Sequence, residues 1–202
     1  LILTVNKRIK LMANVLEKFG LRPNRSINGA SWNNAQNRYI ISANATNAIY
    51  QGDLVVAQTD GSIVRATAGT STAVLGVFNG CEYTDPVTKK PTFSNWYPGA
   101  INSSNITGFV VDDPDTVFLI NADAQFTRAD VFQNYSISNT TGNAATGISE
   151  VQLDVSESGT NASFIVQAID ICQDQDNSSQ VGANANILVR INNHQYRSGT
   201  GV

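Results

Sequence analysis

The hydrophobic positions of this chain fall in short runs broken by turn-forming residues. Leu54 to Gln58 and Ile63 to Ala66 are two such runs, joined by Thr59-Asp60-Gly61-Ser62. Asp-Gly at the centre of a hairpin favours a type I′ turn, whose twist matches that of the flanking strands. With that turn, Gln58 faces Ile63, Ala57 faces Val64 and Val56 faces Arg65. One side of the hairpin then carries Leu54, Val56 and Ile63, and the other carries Val55, Ala57 and Val64. Two apolar sides predict a hairpin covered on both faces. Further strand-like runs follow at Arg38 to Ala43, Ala73 to Phe78, Thr107 to Val111, Thr116 to Ala122, Ser149 to Val155, Ala162 to Ile171 and Asn186 to Asn192. Asp112-Asp113-Pro114-Asp115, Thr140-Thr141-Gly142-Asn143 and Glu157-Ser158-Gly159-Thr160 punctuate them. This pattern predicts a mainly β chain, an antiparallel β-barrel or β-sandwich. Strands do not alternate with helices, which argues against a doubly wound α/β fold.

One stretch reads differently. Met12, Val15, Leu16 and Phe19 recur at helical spacing, with Gly20 placed to cap and Pro23 to stop a helix. One short helix is expected here, and at this length it must dock on something to persist. From Leu21 to Asn37 the periodicity vanishes, leaving one large apolar side chain, Trp32. Residues 1–37 therefore read as an extended N-terminal arm and 38–202 as a single β-rich domain. Within the domain, residues 84–100 hold Pro86, Pro91 and Pro98 with Phe93, Trp96 and Tyr97. Proline excludes a central strand there, so this segment is expected as an excursion that packs its aromatics on the body or a neighbour. Met12-Ala13 also reads as a natural starting point, with residues 1–11 as an extension or a remainder.

Composition supports the β reading. Only 14% of the 202 residues are charged, against 42% hydrophobic, while an average domain carries about 25% charged residues. Asn, Ser, Thr and Gln make up much of the polar surface and suit turns and sheet faces better than long helices. The net charge is -3, and the one basic cluster, Lys7, Arg8 and Lys10, reads as a solvated terminus. No basic stripe is present to neutralise phosphates, so nucleic acid is not an expected partner. No apolar stretch reaches the roughly 18 residues of a membrane span, so no membrane partner is expected. Cys81 and Cys172 each adjoin an apolar run and are expected as two buried free thiols.

The chemistry-bearing residues are sparse. His194 is the single histidine, in the polar setting Asn192-Asn193-His194-Gln195-Tyr196, and reads as a surface or interface group. One histidine and two distant cysteines do not supply a zinc set. Asp112-Asp113-Pro114-Asp115 and the trio Asp170, Asp174 and Asp176 are the densest acidic groups, but neither has calcium-loop spacing, and both read as solvated turns. Phosphate-cradling glycine motifs are absent. The expectation is a protein that is not an enzyme, has no catalytic residues, and uses no cofactor and no metal.

The stretch Gly52-Asp53-Leu54-Val55-Val56, then Thr59-Asp60-Gly61-Ser62-Ile63, then Leu75-Gly76-Val77-Phe78-Asn79-Gly80 resembles a pattern found in tailed-bacteriophage capsid decoration, or cement, proteins. Met12-Ala13-Asn14 and Phe19-Gly20-Leu21-Arg22-Pro23 are similar to the opening of many such proteins. The resemblance covers residues 12–80 and nothing diagnostic beyond. It implies a structural virion protein on the outer capsid surface, stabilising contacts between major capsid subunits. The major capsid protein and further copies of the chain, as a homotrimer, are the implied partners. An N-terminal arm that reaches onto neighbours is implied as well, which makes Met12, Leu16, Phe19 and Trp32 the candidate anchors. The alternative is a carbohydrate- or receptor-binding β module of a phage fibre, with Trp96 and Tyr97 beside Phe93 as a stacking platform.

Overall fold

The computed structural model describes residues 14–42, 45–68, 72–138, 141–173, 181–198 and 201. Twelve strands build it: β1 (Arg22–Ser26), β2 (Asn37–Ile41), β3 (Leu54–Ala57), β4 (Ser62–Arg65), β5 (Gly76–Thr84), β6 (Pro91–Ser94), β7 (Thr107–Val111), β8 (Thr116–Asn121), β9 (Asn134–Ile137), β10 (Leu153–Gly159), β11 (Val166–Ile171) and β12 (Asn186–Ile191). A 3-10 turn spans Arg128–Asp130. The mainly β expectation holds.

The strands form two sheets. One is antiparallel throughout, in the order β1-β8-β12-β11-β9-β10. The other runs β3-β4-β2-β7-β5-β6, and β3 also pairs with β5, so five of its strands close into a ring from which β6 extends. The β2–β4 pairing is parallel, and the rest of this sheet is antiparallel. Leu54, Val56, Val77 and Val111 leave the ring on its outer side and join Phe118, Ile120, Leu153, Ala168, Ile187 and Val189 of the other sheet in one buried cluster. Val55, Phe78 and Val110, one step along the same strands, enter a second cluster with Ile63 of β4, Ile41, Ile49 and Tyr97. Strand side chains alternate in direction, so these neighbouring positions must serve opposite faces. The two apolar faces of the β3–β4 hairpin are thereby accounted for.

The register of that hairpin differs from the expected one. Ala57 pairs with Ile63, Val56 with Val64 and Val55 with Arg65. The loop has three residues instead of two: Gly61 N–H donates to the Gln58 carbonyl, and Gln58 N–H donates to the Ser62 carbonyl. Gly61 takes φ +79°, the left-handed position that follows a type I turn in three-residue hairpins. The Asp60 carboxylate accepts from the Ser62 backbone N–H at 2.9 Å and the Ser62 hydroxyl at 2.6 Å. That side-chain bond selects the longer loop. The shift moves Ile63 to the side of Val55, where it enters the ring.

The helix expected over residues 12–19 is not formed in its described part, since residues 14–21 carry no helix. Met12 lies outside the described residues. Val15 and Leu16 point to solvent while Phe19 is buried, so the spacing does not make one face. Tertiary bonds hold the segment instead. The Asn14 amide donates to the carbonyls of Val181 and Ala183, and Leu21 N–H donates to Gly52 O at 2.9 Å. From there the chain forms β1, an edge strand on β8 with a bulge between Pro23 and Arg25. The described part of the segment expected as an arm is therefore fastened to its own body from Asn14 onward.

Within residues 84–100, Pro91 opens the edge strand β6, where a missing N–H does no harm. Tyr97 is fully buried in the second cluster, and Trp96 stacks on Tyr50 with ring centroids 5.2 Å apart. Cys81 and Cys172 are both buried, and the Cys81 thiol donates to the Trp96 carbonyl at 3.4 Å.

Candidate partner-binding surface

Three segments meet where the N-terminal stretch crosses the ring. Gly20 (φ +66°) and Gly52 (φ +95°) lie back to back, and a Cβ on Gly20 would sit 2.5 Å from Gly52 O and 2.6 Å from Ser149 Cβ. Only glycine tolerates both the left-handed backbone and this approach. Directly after Gly52, Asp53 is fully buried. Its carboxylate accepts the Tyr50 N–H at 2.8 Å and the Ser149 hydroxyl at 2.6 Å, and pairs with the Arg65 guanidinium at 3.1 Å. Burial pushes the Asp53 carboxyl above its ordinary range, against the pull of Arg65, Ser149 and Tyr50 N–H. Ser149 belongs to the segment leading into β10, so this buried cluster ties the two sheets together. The Gly52-Asp53 pair is thus a junction.

Beside the junction lies a groove of about 340 Å³ whose walls include Phe19, Leu21, Trp32, Gln51, Asn79 and Ile148. Arg22 caps the Phe19 ring with its guanidinium carbon 4.1 Å from the centroid. Trp32 packs on the main cluster, with its indole Nε1 buried and lacking a hydrogen-bond partner.

The candidate anchors therefore divide. Phe19 and Trp32 are committed to their own chain, whereas Leu16 is 55% and Val15 51% exposed. Exposed Val181 belongs to the same neighbourhood, since its carbonyl accepts from Asn14. Other large apolar side chains also face solvent. Phe132 is 75% exposed at a left-handed φ of +73°, held by its N–H on the Ala168 carbonyl. Ile40 and Phe93 end a cross-strand row, Ile40–Thr107–Glu82–Phe93, on the outer face of β2, β7, β5 and β6. Tyr97 inside and Trp96 on Tyr50 leave Phe93 alone outside, so the three aromatics do not form one platform.

The densest polar cluster forms around Asp112, which is buried, and this corrects the reading of its acidic run as a solvated turn; the partners that cover it, Asn37, Tyr39 and Tyr196, are far from it in sequence. Tyr39 of β2 donates to the buried Asp112 carboxylate, and Asn37 Nδ2 donates to both Asp112 oxygens at 3.0 Å. Tyr39 has one proton and gives it to Asp112, so the Tyr196 hydroxyl must donate to Tyr39, at 2.5 Å. Arg197 pairs with Asp115, and Asp113 accepts the Asp115 N–H and the Thr116 hydroxyl. His194 is 1% exposed, which corrects its expected surface position. Its polar neighbours in sequence gave no sign of the backbone bridge to Val74 or of Asp112 beside the ring. Asp170 pairs with Arg128, and Asp174 and Asp176 lie outside the described residues. Among the described residues, no group of three or more His, Cys, Asp or Glu side chains could hold a metal ion. No protein family, curated protein or solved structure matches the chain.

Proposed function

We propose that this protein is a structural clamp of a tailed-phage capsid, which binds the outer shell as a homotrimer and stabilises contacts between major capsid subunits. The observation that carries the reading is the build of the residues bearing the resemblance. Gly52-Asp53, the Asp60-Gly61 turn and the Leu75–Gly80 run form one packed unit, in which β3 pairs with both β4 and β5. The docked N-terminal segment joins that unit at Gly20 and Gly52 and leads back to Val15 and Leu16. Two exposed aliphatic side chains on a fastened segment suit insertion into an apolar site on a neighbour, where a few buried anchors supply most of the affinity. Repetition over a symmetric shell lets each such contact stay modest.

Purified protein added to shells of the encoding phage should bind saturably, at a fixed copy number per shell. Leu16→Asp should weaken this binding at least tenfold while leaving the unfolding midpoint unchanged, because Leu16 contributes little to its own core. Absence of saturable binding by the wild-type chain would refute the proposal. Unaltered binding by Leu16→Asp would remove Leu16 from the interface.

A further inference from the structure

The segment after β12 is held against the ring by contacts of three kinds. Val74 N–H donates to Asn193 O and Gln195 N–H donates to Val74 O, both at 2.8 Å. Tyr196 extends the hydroxyl chain to Tyr39 and Asp112, and Arg197 pairs with Asp115. Inside the turn, the N–H groups of Arg197 and Ser198 converge on the His194 carbonyl at 2.9 Å each. At the centre, the Tyr196 backbone N–H donates to His194 Nδ1 at 3.1 Å.

That last bond defines the imidazole. An Nδ1 that accepts carries no proton, so the neutral ring is protonated on Nε2. Nε2 is buried and makes no full hydrogen bond, although the Asp112 backbone lies close enough to favour a proton there. A second proton can enter only at Nδ1, where it would set one N–H against another. We propose that residues 193–198 form a proton-operated clasp: neutral His194 holds the segment against Val74 and Tyr39, and protonation at Nδ1 expels the Tyr196 backbone and opens it. The charged groups facing the ring are Asp112 and Asp113 from the β7–β8 connection, which favour the imidazolium, and Arg197 from the clasp itself, which opposes it. Tyr196 lies against the ring at 5.6 Å between centroids. Burial is the largest influence and moves His194 below its ordinary value, so opening falls on the acid side of neutrality. Once open, the backbone of Val74 loses both bonds to the segment, and Asp112 loses the outer member of its hydroxyl chain.

The test is a nitrogen NMR titration of the full-length chain from about pH 7.5 to about pH 5, across the range in which histidines titrate. The imidazole shifts should report an Nε2–H tautomer at the start. Amide-exchange protection at Tyr196, corrected for intrinsic rates, should fall about tenfold as His194 charges, the scale of one lost hydrogen bond. His194→Asn keeps an acceptor near the Nδ1 position without a titratable proton, and should hold Tyr196 protected throughout. An Nδ1–H tautomer at neutral pH, a ring that stays neutral until global unfolding, or protection that ignores His194 charging would each overturn the clasp. The wild-type titration suffices for this if His194→Asn does not fold.

Discussion

Asp53 and His194 show how burial acts in opposite directions on acid and base. A carboxyl raised in the native state takes up its proton before the unfolded chain does, so acidification through its range favours folding. A histidine lowered in the native state does the reverse: the unfolded chain binds the extra proton, and stability is lost as pH falls below the ordinary value of 6.5. Acid weakening just below neutrality is therefore assigned to His194. Removing the Asp53 carboxylate is another matter. Asp53→Ala would leave the Arg65 guanidinium, whose side chain is only 14% exposed, beside an empty space. Breaking one member of a buried ion pair costs about 3–5 kcal/mol. A denaturant titration of Asp53→Ala should show that loss in the midpoint with little change in slope. A loss below about 1 kcal/mol would mean that Arg65 finds solvent without its partner.

At the scale of elements, the strands that could be read were those whose own residues specify them. Thr107–Val111 agrees residue for residue with the predicted run, and β8 and β12 agree to within one residue. Those that could not be read are defined by a partner. Arg-Pro-Asn-Arg-Ser of β1 has no apolar pattern and exists because β8 offers an open edge. Pro91 concealed β6 for the same reason. Asn134–Ile137 of β9 was not among the predicted strands: it alternates polar and apolar residues, yet all four are buried between β11 and β10. The predicted strand from Ser149 begins four residues later, because Ser149 is spent on Asp53. The junction was half legible: Gly52-Asp53 stood out, but its partners Gly20, Arg65 and Ser149 are scattered along the chain. The β3–β4 turn is the element where the one-residue slip can be tested. Gly61 has open space where a Cβ would go, so only its φ of +79° penalises a side chain. Gly61→Ala should cost about 1–2 kcal/mol, and Gly61→Asn clearly less, since asparagine tolerates this conformation. Equal losses for the two would point to a steric cause absent from this geometry.

Across the whole molecule, the two sheets share one cluster and one buried ion-pair junction, and this determines how the protein should unfold. Leu54, Val56, Val77 and Val111 of the ring are packed against Phe118, Ile120, Ile187 and Val189 of the antiparallel sheet. Neither sheet can leave without exposing the apolar face of the other. The chain has two tryptophans, and they sit conveniently apart: Trp32 packs on the shared cluster, and Trp96 stacks on Tyr50 over the ring. In each single-tryptophan form, with Trp96→Phe or Trp32→Phe, the fluorescence midpoint should coincide with that of far-ultraviolet circular dichroism, as one cooperative unit requires. Ile187→Ala, a truncation in the antiparallel sheet, should cost about 2–5 kcal/mol and lower the midpoint seen by Trp96 as much as that seen by Trp32. A Trp96 transition that stays in place while the Trp32 transition moves would mean that the ring is stable without the second sheet. Cooperative coupling is also what the proposed role demands. A clamp transmits load from Leu16 to the body only if the segment, the junction and both sheets yield together.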